Sequence, residues 1–355
     1  MGERDGVRFF ARAPVRIDCS GGGSDAPPFC TEYGGHVVNF AINHYVYACV
    51  EPRWESEAVE ITSHDLGESA TAPNAQALEM GGMLNLLKGV VRRLNAPFGL
   101  RLTTESDVSP GCGLGASGAM MVACLAAMDA AMGTRRSRTA TAALANEIER
   151  DDLGLSGGCQ DSYAAACGGI NFITIPTDGR VHCEPIPLSP ASRFTLEQHL
   201  LLAHTGAVHL SSSIHDDIRA DYALPQSATK DAMRKLSSIA VQMRAALLSG
   251  ELEHFAALMS GNWTQHKRLH PSCEGVTLRR FHEQMAPYVA GAKTCGAGGG
   301  GCVALFAKEG QRNAIKAACH LVGADLLPFS IDDTGVQTWR VSSITPAPMT
   351  LSKGR

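Results

Sequence analysis

The chain has 355 residues, 45% of them hydrophobic and 19% charged, with a formal net charge of −4. This is enough for two ordinary domains with a sizeable core, and it excludes a disordered chain. The mixed, slightly acidic charge excludes the basic stripe of a nucleic-acid binder, and no apolar run is long enough to span a bilayer.

Strands are expected over residues 7–19, 36–52 and 99–106, where Val, Ile and Tyr recur with partial alternation. The glycine-rich turn SPGCGLG leads into a helix over 116–132 that is apolar on nearly every face and so should be buried. A second helix, 139–154, carries its charges at its C-terminal end, and GGINFITI (168–175) reads as a strand. Residues 176–192 are turn-rich, and the domain boundary is placed just after them, giving units 1–194 and 195–355. In the second half, Leu236, Ile239, Ala240, Met243 and Leu247 recur at helical spacing up to a C-cap at Gly250, and Leu252, Phe255, Leu258 and Met259 mark the next helix. A glycine loop and strand (293–307), a helix (311–324), a closing strand (334–343) and a frayed tail follow. Strands with helices on one side, in two halves, indicate an α+β fold.

The N-terminal MGERDGVRFF lacks a signal-peptide core, so a cytoplasmic location is expected. The twelve cysteines contain no C-x-x-C pair and no zinc spacing, as expected of reduced, buried thiols.

Three loops carry chemistry. GLGASG (113–118) matches G-x-G-x-x-G, but no acid lies where a dinucleotide site needs one; Arg135 or Arg136 leaves only an NADP dehydrogenase as a rival. No Gly-Lys-Ser/Thr follows, which rules out a Walker loop. What remains is a phosphate loop at a helix N-terminus, where free backbone N–H groups and the helix dipole favour anions. Ser117 either reaches a metal on that phosphate or caps the helix. In GLSGGCQDSYAAACGG (154–169), Asp161 is a helix cap or a base held by a rigid turn, and Glu149 reads on its own as a solvated surface charge. The runs GGGSD (21–25) and GAGGGG (296–301) suggest backbone close to a ligand, with Asp25 either a turn residue or an acceptor from sugar hydroxyls.

Taken together, PGCGLGASGA, KTCGAGGGGCVALF and ARAPVRIDCSGGGSD resemble the three ordered motifs of the GHMP kinases, and the resemblance covers nearly the whole chain. Within that family GGGSD, EYGG, QDSYAAACGG and TGAVHLSSS are similar to the sugar-1-kinase branch, which includes heptose 7-phosphate kinases and fucokinase-type domains. The resemblance implies an N-terminal βαβ-containing domain, a C-terminal ferredoxin-like domain, and ATP and acceptor meeting between them. It implies Asp161 as base with Arg16 beside the acceptor, and Glu149 and Ser117 as Mg²⁺ ligands. Pro110, Gly111, Gly113, Leu114, Gly115, Ala116, Ser117 and Gly118 would hold ATP. Arg16, Gly23, Ser24, Asp25, Gln160, Asp161, Thr205, Gly206, His209, Ser212, Gly298 and Gly299 would line the acceptor site.

The expected partner is a small sugar or sugar phosphate, with neither nucleic acid nor membrane; a homodimer is compatible with the sequence. The expected reaction is phosphorylation of D-glycero-D-manno-heptose 7-phosphate at O1. The alternatives are an unphosphorylated sugar such as fucose, or a pseudokinase that senses ATP and sugar without transfer. Four positions depart from the branch: Cys159 and Ser162 replace a lysine and a glutamine, His209 replaces an arginine, and Ala116 replaces a serine. His209, the hydroxyls of Ser211, Ser212 and Ser213, and Arg16 are then the candidates for holding a 7-phosphate.

Overall fold

In the computed structural model, residues 6–206, 211–224 and 227–342 are described. The chain runs β1 (Val7–Ser20), α1 (Phe29–Tyr33), β2 (Gly35–Arg53), β3 (Val59–Ser63), β4 (Glu68–Ala72), α2 (Asn85–Leu94), β5 (Gly99–Ser106) and α3 (Ala116–Met132). Then come α4 (Arg138–Glu147), a π turn at Ile148–Asp152, α5 (Gln160–Cys167), β6 (Ile170–Ile175) and β7 (His182–Pro185). The second half holds α6 (Pro190–His199), β8 (Leu200–His204), α7 (Ser211–Tyr222), α8 (Ala228–Ser249), α9 (Leu252–His266), α10 (Val276–Met285), β9 (Val289–Thr294), β10 (Cys302–Ala307), α11 (Arg312–Leu321), β11 (Asp325–Leu327) and β12 (Gln337–Ser342).

The first sheet has strand order β12-β1-β2-β5-β3-β4, with β6 and β7 continuing from the N-terminal part of β2. Val46, Ala48 and Val50 of β2 alternate into the core, the period of two expected of a strand covered on one face. α3 has no polar stripe, and it packs under β1 and β2 with Met121, Val122, Cys124 and Leu125 fully buried.

The second sheet, β11-β8-β10-β9, is antiparallel throughout. Leu201, Ala203, Val303 and Leu305 face α10 and α11, while Leu200, Leu202, Ala304 and Phe306 face the opposite way and join the larger core with Phe255 and Met259 of α9. Every residue of β10 is buried, because the strand lies between two layers.

The strands expected near 7–19, 36–52 and 99–106 and the helix over 116–132 are all found. The turn-rich stretch 176–192 instead contains β7 and the start of α6, whose N-cap Ser189 accepts from Ser192 N with Pro190 in the first turn. The helix expected over 139–154 stops at Glu147 and widens into the π turn. β12 returns to the first sheet and pairs with β1. The C-terminal tail lies outside the described residues. No helix among the described residues is long and apolar enough to cross a membrane.

Candidate active site

A cleft of about 530 Å³ lies where the turn before α3, the first turn of α5, the turn after β1 and one side of α7 converge. The N-cap of α3 is Gly115, in the left-handed region at φ 72°, with no side chain capping the helix. The first-turn amides and the positive end of the helix dipole therefore serve the cleft. Ser117 is the second helical residue and is exposed, so it does not occupy the cap position. The absence of side chains at the glycines brings α5 close. A Cβ at position 115 would lie 2.9 Å from Asp161 Cγ, and one at 118 would lie 2.6 Å from Asp161 Cβ.

Asp161, the second residue of α5, is held by Arg16 of β1. The guanidinium reaches Asp161 Oδ1 through Nε at 2.8 Å and Nη2 at 2.6 Å, while Nη1 donates to Gly113 O at 2.6 Å. One rigid, planar cation thus ties the carboxylate to the glycine turn. Burial works against the charge on Arg16, but the carboxylates of Asp161 and Asp18 more than offset it.

Asp25 is buried and accepts from Gly23 N at 3.1 Å and Gln160 N at 3.0 Å, so it anchors the start of α5 to the turn after β1. Burial pushes its carboxyl up to about 6, against those two donors and helped by the charge of Asp161. Glu149 lines the cleft from the π turn. Burial, with a further contribution from Asp161, pushes it up to about 7.

Pro110, Gly111, Gly113, Leu114, Gly115, Ala116 and Ser117 all line the cleft, as do Arg16, Gly23, Asp25, Glu149, Gln160 and Asp161. Gly118 lies just behind, against Asp161. Ser24 is fully buried, with its hydroxyl donating to Gly21 O at 2.8 Å. Thr205 donates to Gly301 O at 2.8 Å, and Gly299 N donates to Cys273 O at 2.8 Å. Neither Thr205 nor Gly206, Gly298 or Gly299 is in the cleft wall; from the C-terminal glycine loop, Gly296 and Ala297 take that place. Ser212 is in the first turn of α7, and His209 lies outside the described residues.

Residues 85–169, which contain the glycine turn, α3 and Asp161, match the GHMP kinases N terminal domain. The chain is 28% identical over 337 residues to the D-glycero-alpha-D-manno-heptose 7-phosphate kinase of Campylobacter jejuni, covering 93% of this chain and 98% of that one. A solved D-glycero-D-manno-heptose 1-phosphate kinase from Bacteriodes thetaiotaomicron superposes with a TM-score of 0.78 at 28% identity, covering 94% of this chain and all of the other. Residues 85–169 are thus a GHMP kinase N-terminal domain. The bifunctional fucokinase/GDP-fucose pyrophosphorylase of Arabidopsis thaliana is 27% identical over 86% of this chain and 30% of its own length. The matched relatives are named kinases, and the chain is accordingly a phosphotransferase with an alcohol acceptor.

Four residues around the kinase cleft carried no signal in the sequence. His215 and Arg219 project from α7. Burial lowers the imidazole of His215, against the pull of Asp161. His266 of α9 donates from Nε2 to Ala297 O at 3.0 Å, and burial brings it down to about 4. Lys293 of β9 is completely buried; its ammonium reaches Asp18 Oδ2 at 2.7 Å, Asp18 O at 3.0 Å and Thr294 O at 3.2 Å, joining the second sheet to β1. Each of these residues comes from an element remote in sequence from the glycine turn, so only the tertiary fold reveals it.

Proposed function

We propose that this protein is a GHMP-type sugar kinase that transfers the γ-phosphoryl group of ATP to O1 of D-glycero-D-manno-heptose 7-phosphate, giving the 1,7-bisphosphate, in the cytoplasm. The observation that carries the reading is the clamp of Asp161 by Arg16 directly beside the uncapped start of α3. Phosphoryl transfer needs positioning and charge stabilisation more than covalent chemistry. The turn 110–115 and the α3 amides receive the triphosphate, Asp161 orients the acceptor hydroxyl and takes its proton, and Asp25 holds the sugar. Residues 1–194 and 195–355 are taken as the two units, with β12 crossing back to the first.

Glu149 and Ser117 suit Mg²⁺. The Glu149 carboxyl has no hydrogen-bond partner among the described residues, and burial and the nearby Asp161 both disfavour its charge, which a cation would restore. Mg²⁺ keeps several waters and takes phosphate oxygens, so one or two protein oxygens suffice to hold it. When bound, Mg²⁺ would neutralise charge on the phosphoryl oxygens.

The Arabidopsis relative supports a second reading, an unphosphorylated sugar such as fucose. The deciding experiment compares kcat/KM on heptose 7-phosphate with that on free heptose, fucose, mannose and galactose. A higher value on heptose 7-phosphate is expected; a free sugar used better would replace this reading with the second.

A further inference from the structure

A phosphorylated acceptor needs a cation at the end of the cleft away from the transferred group. Arg16 and Arg219 are the arginine or lysine side chains among the described residues lining the cleft. Arg16 is fully engaged by Asp161 and Gly113 O. His215 and His266 are both held toward their neutral forms by burial. Lys293 has its ammonium protons taken by Asp18 and by the carbonyl of Thr294.

Arg219 differs. It is exposed on α7, and its one side-chain hydrogen bond among the described residues is a long one, Nη1 to Ser156 Oγ at 3.4 Å. No carboxylate among the described residues is within ion-pairing distance, although Asp216 and Glu32 share the shallow groove on its far side. Ser156 belongs to the loop Ser156–Gly158, which runs into Cys159 and α5 and presses Gly158 against the Asp25 carboxylate. Arg219 thus stands on the Asp25 side of the cleft, over the loop that leads to Cys159, where the branch has a lysine, and Ser156 and the small Gly157 leave room for an anion.

We propose that Arg219, with Ser156 beside it, binds the phosphate already carried by the acceptor sugar and so sets the preference for a sugar phosphate over a free sugar. The guanidinium supplies planar, paired donors suited to phosphate oxygens. This inference rests on the heptose 7-phosphate reading. It goes beyond that reading by assigning the phosphate to a cation on α7 rather than to Arg16 or His209.

The test measures KM and kcat of wild-type protein, Arg219→Gln and Arg219→Lys with heptose 7-phosphate, free heptose and ATP. In Arg219→Gln the KM for heptose 7-phosphate should rise roughly 10- to 100-fold with kcat little changed, the loss of a charged hydrogen-bonding group. The preference for the phosphorylated over the free sugar should collapse by the same factor, the KM for ATP should stay put, and Arg219→Lys should recover part of the loss. Wild-type preference for the 7-phosphate that survives in Arg219→Gln overturns this inference alone, as does a rise confined to the KM for ATP. A wild-type preference for free heptose overturns the acceptor reading, and this inference falls with it.

Discussion

Replacing Gly118 by alanine tests whether Asp161 is placed by the close approach of α3 and α5. The added Cβ would lie 2.6 Å from Asp161 Cβ and 2.9 Å from Ser162 N. Carbon contacts are comfortable at about 3.5–4.0 Å, so the two helices must part by roughly 1 Å. Overpacking of this kind costs about 1–3 kcal/mol, and alanine returns about 1 kcal/mol of helix propensity, leaving a net loss of roughly 0–2 kcal/mol. Stability is therefore only modestly reduced. Activity should suffer far more, because displacing a reacting group by about 1 Å can cost on the order of 100-fold. The assay is steady-state kcat with thermal unfolding and ATP binding measured on the same preparation. Gly261→Ala in α9 is the control, since a Cβ there meets nothing within 4 Å and should leave kcat within about twofold. A Gly118→Ala protein that is folded and keeps more than half the wild-type kcat would refute the positioning argument.

Asp161→Asn should lower kcat by on the order of 10²–10⁴-fold with ATP binding nearly intact, as measured by single-turnover kinetics and calorimetry. Glu149→Gln and Ser117→Ala should each raise the Mg²⁺ concentration needed for half-maximal rate; unchanged titrations in both would move the metal elsewhere. The values near 6 for Asp25 and near 7 for Glu149 are raised, so both carboxyls are neutral below those pH values and ionised above them. If both act ionised, log kcat/KM should fall as pH drops through about 7 to about 6, with apparent values belonging to the coupled carboxylates. Glu149→Gln should remove the upper part of that fall. Lys293→Met should destabilise by about 3–5 kcal/mol in urea unfolding, because it strands the buried Asp18 charge, and Asp18→Leu on top of it should recover stability.

The parts of the fold that were legible in the sequence were those with one strong local cause. α3 could be read to the residue because a glycine turn precedes an almost wholly apolar run that Gly133 ends. β3 and β4 escaped notice because each is only five residues long and β4 offers no apolar side chain larger than alanine for alternation, and α6 was hidden because Ser189 and Pro190, a helix start signal, sit in a stretch that also reads as turns. Glu149 shows how a correct local pattern can mislead. Its charge looks solvated on a regular helix, but the bond from Leu153 N to Ile148 O widens the turn by one residue and re-aims the side chain into the cleft. Arg16, Asp25 and Asp161 came from motif order, whereas His215, Arg219, His266 and Lys293 needed the packing of α7, α9 and β9 against the glycine turn.

The similar proteins bear names that put the sugar phosphate at C7 in one case and at C1 in the other. The most direct measurement is therefore phosphorus NMR of the product formed from ATP, Mg²⁺ and D-glycero-D-manno-heptose 7-phosphate. The account predicts a second, anomeric phosphate resonance that grows in with ADP in equal amounts, and no such resonance with Asp161→Asn. ADP formation without an anomeric phosphate, or transfer to a hydroxyl other than O1, would contradict it.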